Sequence, residues 1–168
     1  DALRDKFVVY LMRKGTSYRI GTTIGLFRSG GENVSTGLSR RLREEGADAG
    51  WILSVHDTNG EAHAAEAYTS WRFGIPEMRF SAKASDHVRH RTQEVMDAFW
   101  MKIGDLSDAA EACLRAFGRD GRYPLVDRFS RLFSYRNSEV RACNLLDGMT
   151  FISPSSSERQ VVRTSPIT

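Results

Sequence analysis

The stretch VVYLMRKGTSYRIG, from Val8 to Gly21, sets two strand-like runs on either side of a short polar break. β-Branched and aromatic residues fill Lys6 to Met12, and such a run favours a strand. Arg13 to Thr16 contains the glycine that a tight reversal needs. Ser17 to Thr23 then reads as a second strand, antiparallel to the first. A hairpin at this point commits the chain to an antiparallel sheet, and later segments must cover it.

Working outward, Gly25 to Gly37 carries four glycines among small polar residues and reads as a loop. Leu38 and Leu42 are one helical turn apart, which predicts a short helix over 38–45. Trp51, Ile52, Leu53 and Val55 predict a third strand. From Thr58 to Gly74 a Thr or Asn cap, an Ala62–Ala65–Phe73 stripe with Tyr68 or Thr69, and a Gly stop before Pro76 predict the best helix of the chain. Residues 75–80 return as an extended segment.

The second half reads as mainly helical. One helix is expected over 85–104, with Val88, Val95, Phe99 and Ile103 on one side, and another over 107–117, closed by Gly118. Arg122 to Phe133 opens on a proline turn and could carry a short helix. The tail after Ile152 is polar and reads as a loosely held end. The fold class is therefore α+β: a small antiparallel sheet flanked by helices over 1–82, then a mainly helical extension over 83–168.

Composition narrows the function classes. The chain has 168 residues, and 40% of them are hydrophobic, enough for a core. There is no apolar run of roughly 18 residues, so no membrane span is expected. The charge is +3, from 24 Lys and Arg against 21 Asp and Glu. Only Lys6, Lys14, Lys83 and Lys102 are lysines. Arginine presents a rigid fork of donors suited to phosphate, although codon bias explains the same preference. Cys113 and Cys143 lie outside any zinc-like spacing, and a reduced intracellular setting, cytoplasmic or nucleoid-associated, is expected. Common signatures such as HExxH, GxSxG and the P-loop are absent.

Several polar residues then stand out. Tyr10 and Tyr18 belong to the hairpin, Arg40 and Arg41 to the first helix, and His63 and Glu66 to the second. Taken singly, each reads more readily as a packing or surface residue than as a functional one. Their order and spacing resemble the GIY-YIG nuclease superfamily. VVY (Val8–Tyr10) stands where that family has GIY, and RIG (Arg19–Gly21) where it has YIG. LSRRL (Leu38–Leu42) is similar to the helix that carries the family arginine, and EAHAAE (Glu61–Glu66) to the one that ends in the metal-binding glutamate. The resemblance covers Phe7 to about Phe80. It departs at Val8, at Arg19 in place of tyrosine, and at Glu45, where homing members often carry histidine.

The resemblance implies a DNA endonuclease of homing type, acting on double-stranded DNA with one Mg²⁺ or Mn²⁺. Glu66 would hold the metal, Arg41 would contact the phosphate, and Tyr10 or Tyr18 would orient or deprotonate water. A tyrosine base requires nearby cations that favour phenolate, and Arg19 and Arg40 are the candidates. Arg19, Arg28, Arg40, Arg89 and Arg91 are the expected DNA-binding residues. RACNLLDGMTFI (Arg141–Ile152) resembles stretches where a nuclease insertion rejoins an intein, which implies a host splicing domain as a partner; an ordinary amphipathic turn reads the same way. A monomer is slightly favoured. The alternative is a decayed DNA-binding or structural module on the same scaffold.

Overall fold

The computed structural model describes residues 3–28, 34–87, 90–127, 150–152 and 159–161. The hairpin forms as its sequence dictates. β1 (Phe7–Lys14) and β2 (Ser17–Ile24) pair antiparallel around Gly15, whose φ of 60° suits glycine. Gly25 to Gly37 is not simply a loop: β3 (Leu26–Arg28) and β4 (Val34–Thr36) pair within it as a small separate ladder. Helix α1 (Gly37–Glu45) follows, capped by the Thr36 hydroxyl and closed by left-handed Gly46. Strand β5 (Ala49–His56) pairs antiparallel with β1 on the side away from β2.

Helix α2 (Asn59–Phe73) starts on a Thr58–Glu61 capping box and ends at left-handed Gly74. Its buried stripe uses Ala62, Glu66 and Thr69, whereas Tyr68 faces solvent. The single helix expected over 85–104 is broken. Helix α3 (Ala84–His87) is one turn long, His90 takes a positive φ, and α4 (Gln93–Ile103) begins afresh on the Thr92 cap. Its inward face is Met96 and Trp100, while Val95 is exposed. Helix α5 (Ser107–Ala116) ends before Gly118, and β6 (Val126–Asp127) pairs with the start of β5.

The result is an α+β fold: three long antiparallel strands and short β6, in the order β2-β1-β5-β6, with helices packed on the sheet. Alternation along β1 sends Val8, Tyr10 and Met12 to one side, with Leu38 and Leu42 of α1, Phe80 and Trp100. It sends Val9 and Leu11 to the other, with Ala62 of α2 and Ala110, Cys113 and Leu114 of α5. Trp100 and Leu125 on the first side, and α5 on the second, join residues beyond 83 to the same cores. The free edge of β2 is met by the segment after α2, where the Ile20 amide donates to the Pro76 carbonyl at 2.9 Å. A last pair, β7 (Thr150–Ile152) and β8 (Arg159–Val161), is antiparallel. Most of the segment likened to an intein junction, the second half of Arg122–Phe133 and most of the tail lie outside the described residues. Among the described residues no helix is long and apolar enough to cross a membrane.

Candidate active site

Tyr10 sits on β1, the strand paired on both edges, and is only 1% exposed. Its ring lies across Gly21, its partner on β2; a methyl group there would collide with the ring and hydroxyl. That contact accounts for the glycine of the RIG stretch. Arg19 is two residues earlier on β2, hence on the same face. Its Nη1 donates to the Tyr10 hydroxyl over a long 3.4 Å and to Glu45 Oε1 over 2.6 Å.

Glu45 ends α1 and is wholly buried. Burying a carboxylate requires partners for both oxygens. Oε1 has Arg19, and Oε2 accepts the Phe80 amide at 3.0 Å. Arg79 adds a second guanidinium, its Nε 3.2 Å from Oε1. The segment that brings Arg79 and Phe80 is itself anchored: Trp100 Nε1 donates to the Arg79 carbonyl, and the Ser81 hydroxyl to the Glu45 carbonyl.

Next to this pair, Glu44 accepts from Arg40, Arg41 and Arg79 at 2.7, 3.3 and 3.5 Å. Burial works to raise its carboxyl, but the Arg40 hydrogen bond and the three cationic neighbours outweigh it and hold the group below the usual range. Four guanidiniums thus gather on Glu44 and Glu45. Arg19 Nε and Arg79 Nε and Nη1 are buried with no hydrogen-bond acceptor among the described residues.

Glu66 projects from α2 on the stripe of Ala62 and Thr69, since residues four and seven apart share a helix face. His63, one turn earlier, places Nδ1 3.0 Å from Glu66 Oε2. Burial pushes the Glu66 carboxyl above its ordinary value; the His63 bond opposes this, Glu77 adds to it, and Arg19 again opposes it.

The sheet and two helices bring Arg41 and Glu66 each within electrostatic range of Tyr10. Burial raises the Tyr10 phenol; Arg19 pulls it down, Glu45 pushes it up, Arg41 pulls it down and Glu66 pushes it up. The net direction is upward, so the phenolate expected from the sequence is disfavoured. Arg40 does not rescue it, being engaged with Glu44. Tyr18 is not part of the group. It pairs with Arg13 and packs with Val9 and Leu11, on the opposite side of the sheet from Tyr10. Arg19, not Tyr18, shares the Tyr10 face.

The expected DNA-binding arginines are dispersed. Arg19 is buried in the cluster, Arg40 lies on its rim, and Arg28 ends β3. Arg91 is exposed and pairs with Asp86 at 3.6 Å, and Arg89 lies outside the described residues. His56 takes Ser54 as its partner, whereas His63 takes Glu66. Glu45 and Arg79 were not singled out as site residues by the sequence. The available signal was Glu45 standing four residues after Arg41, one turn along the same helix face.

Among the described residues, no group of three or more His, Cys, Asp and Glu stands together. A cation that draws most of its shell from water and phosphate requires less: one carboxylate oxygen suffices. Glu66 fits that role, because His63 engages Oε2 and no donor among the described residues occupies Oε1. No family model matches the chain, and no curated protein or solved structure matches it.

Proposed function

We propose that the chain is a DNA endonuclease, similar in chemistry to the GIY-YIG nucleases, that hydrolyses phosphodiester bonds of duplex DNA with one divalent cation. The observation that carries this reading is that Arg41 and Glu66, from two different helices, both act electrostatically on Tyr10, whose hydroxyl accepts from Arg19.

Each group has a role. Glu66 would hold Mg²⁺ or Mn²⁺ through Oε1, with His63 orienting its other oxygen. Such a cation supplies charge that polarises the phosphate and assists the departing oxygen. Arg41 is part-exposed and paired with Glu44 over a long 3.3 Å, so it can exchange that partner for a phosphate oxygen. It would neutralise charge that accumulates on phosphorus-bound oxygens as water attacks. The arginines gathered on Glu44 would hold neighbouring phosphates, a mode of binding that weakens steeply with salt.

The test is nicking and linearisation of supercoiled plasmid and of a fragmented genomic library, with Mg²⁺ or Mn²⁺. Cleavage that depends on metal, and is lost in Glu66→Ala and Arg41→Ala, supports the reading. A second reading is favoured by one observation, the near-complete burial of Tyr10: a scaffold that binds DNA without cutting it. DNA binding by wild type, with no cleavage of either substrate, would select that reading.

A further inference from the structure

We propose that the outward face of α2 is a self-association surface, on which two copies of this chain pair antiparallel about a two-fold axis. The inference does not depend on the nuclease reading, and its readout is molecular mass rather than cleavage.

It starts from an unusual surface on α2. The helix buries Ala62, Glu66 and Thr69. The opposite face of a surface helix normally carries charge. Here it carries Gly60, Ala64, Ala67 and Trp71, all exposed and spaced four, three and four apart, so that they form one stripe. Trp71 is 80% exposed, and Tyr68, at the edge of the stripe, 54%. The aromatic end is ordered in advance, which lowers the entropy lost on binding. Its two rings lie 6.3 Å apart, and the Arg72 guanidinium stands 6.0 Å from the Tyr68 ring. The other end is bare. Glycine is a poor helix residue, yet a Cβ at Gly60 would meet nothing within 4 Å, so no contact within this chain requires it.

A large residue at one end and small ones at the other select the occupant and its direction. A parallel copy would set Trp71 against its own counterpart and leave Gly60 and Ala64 facing a gap. An antiparallel copy sets Trp71 between Gly60 and Ala64 of the second copy, and symmetry repeats the contact. The charges agree with this direction. Glu61 in the first turn and Arg72 in the last lie about three turns apart, on the same flank of the stripe. Like flanks meet in an antiparallel pair, so Glu61 of each copy faces Arg72 of the other. A parallel pair would bring opposite flanks together and lose both contacts. Charges at such a rim choose direction more than they add affinity. A single helix face offers less than the roughly 800 Å² per partner of a standard interface, so the pairing is weak and depends on concentration.

The measurement is sedimentation equilibrium of the full chain over a concentration series. Wild type should pass from monomer to dimer. Trp71→Ala removes the large residue, and Ala64→Trp sets large against large. Each should raise the dissociation constant at least about tenfold. The combined variant exchanges large and small along the stripe and should recover most of that loss. Both positions are exposed, so the variants keep the wild-type fold, checked by circular dichroism. This pattern supports the proposal. A chain that stays monomeric at every concentration overturns it, as does a dimer indifferent to Trp71→Ala or a combined variant no better than the single ones. A monomer that binds single-stranded oligonucleotide, and loses that binding in Trp71→Ala, also overturns it and assigns the face to base stacking.

Discussion

On one side of the sheet, Val9, Leu11, Ile20, Trp51 and Leu53 pack against Ala62, Ala110, Cys113 and Leu114. The thiol there is pushed up to about 12 by burial, so Cys113 behaves as another small apolar group. On the other side, Val8, Met12, Leu38 and Ile52 surround Tyr10, and Arg19 and Glu45 are buried beside it. Both sides are largely buried, yet the buried Arg19–Glu45 ion pair lies only on the second. A core built for stability alone would resemble the first, because a buried ion pair often contributes no more than well-packed apolar residues. The second side holds a geometry instead: a guanidinium against a phenol.

The largest disruption should come from breaking that pair on one side only. Glu45→Ala leaves Arg19 without its carboxylate and Arg79 with only Glu44, at 3.5 Å, and should destabilise the fold by about 3–5 kcal/mol, read from urea unfolding. On the apolar side, Leu11→Ala should cost about 2–4 kcal/mol through lost burial and a cavity. It should leave cleavage per folded molecule unchanged, and a lowered rate would argue that the two sides are coupled. Gly21→Ala sharpens the contrast further. Its methyl must displace the Tyr10 ring, which should destabilise by about 1–3 kcal/mol and lower cleavage by more than the unfolded fraction explains. The smallest effect on stability is expected for Arg41→Ala, below about 1 kcal/mol, because its ion pair with Glu44 is part-exposed. It should nonetheless abolish cleavage, and a stable variant that still cuts at the wild-type rate would remove Arg41 from the site.

Much of the scaffold was legible because each piece carries a local signal. The β-branched run of β1, the Gly15 turn, the Thr58 cap and the Gly74 stop act over a few residues. The break within 85–104 was missed because Val88 and Val95 suggested a continuous stripe, whereas Thr92 starts a new helix and Met96 and Trp100 face inward. The sequence singles out Tyr10, Arg41 and Glu66 as an ordered set, but not the residues packed about Tyr10. Glu45 lies in the last turn before a glycine, where a charged residue usually meets water. Its burial is decided by an amide 35 positions later, which no periodicity reports. Tyr18 shows the opposite failure: it is adjacent in sequence to Arg19, and the pleat sends it to the other side.

The separation of Glu45 from its partners also sets an order of events during folding. The hairpin can close early, since its ends are joined by a tight turn. Glu45 must wait for Arg19, 26 positions before it, and for Phe80, 35 after it. Long loops close late, so the ion pair forms after the main barrier. Glu45→Gln should therefore accelerate unfolding and leave the refolding rate near that of wild type, as stopped-flow chevrons would show. The bond between Arg19 and Glu45 would then act as a latch, governing how long the assembled fold persists rather than how quickly it is made.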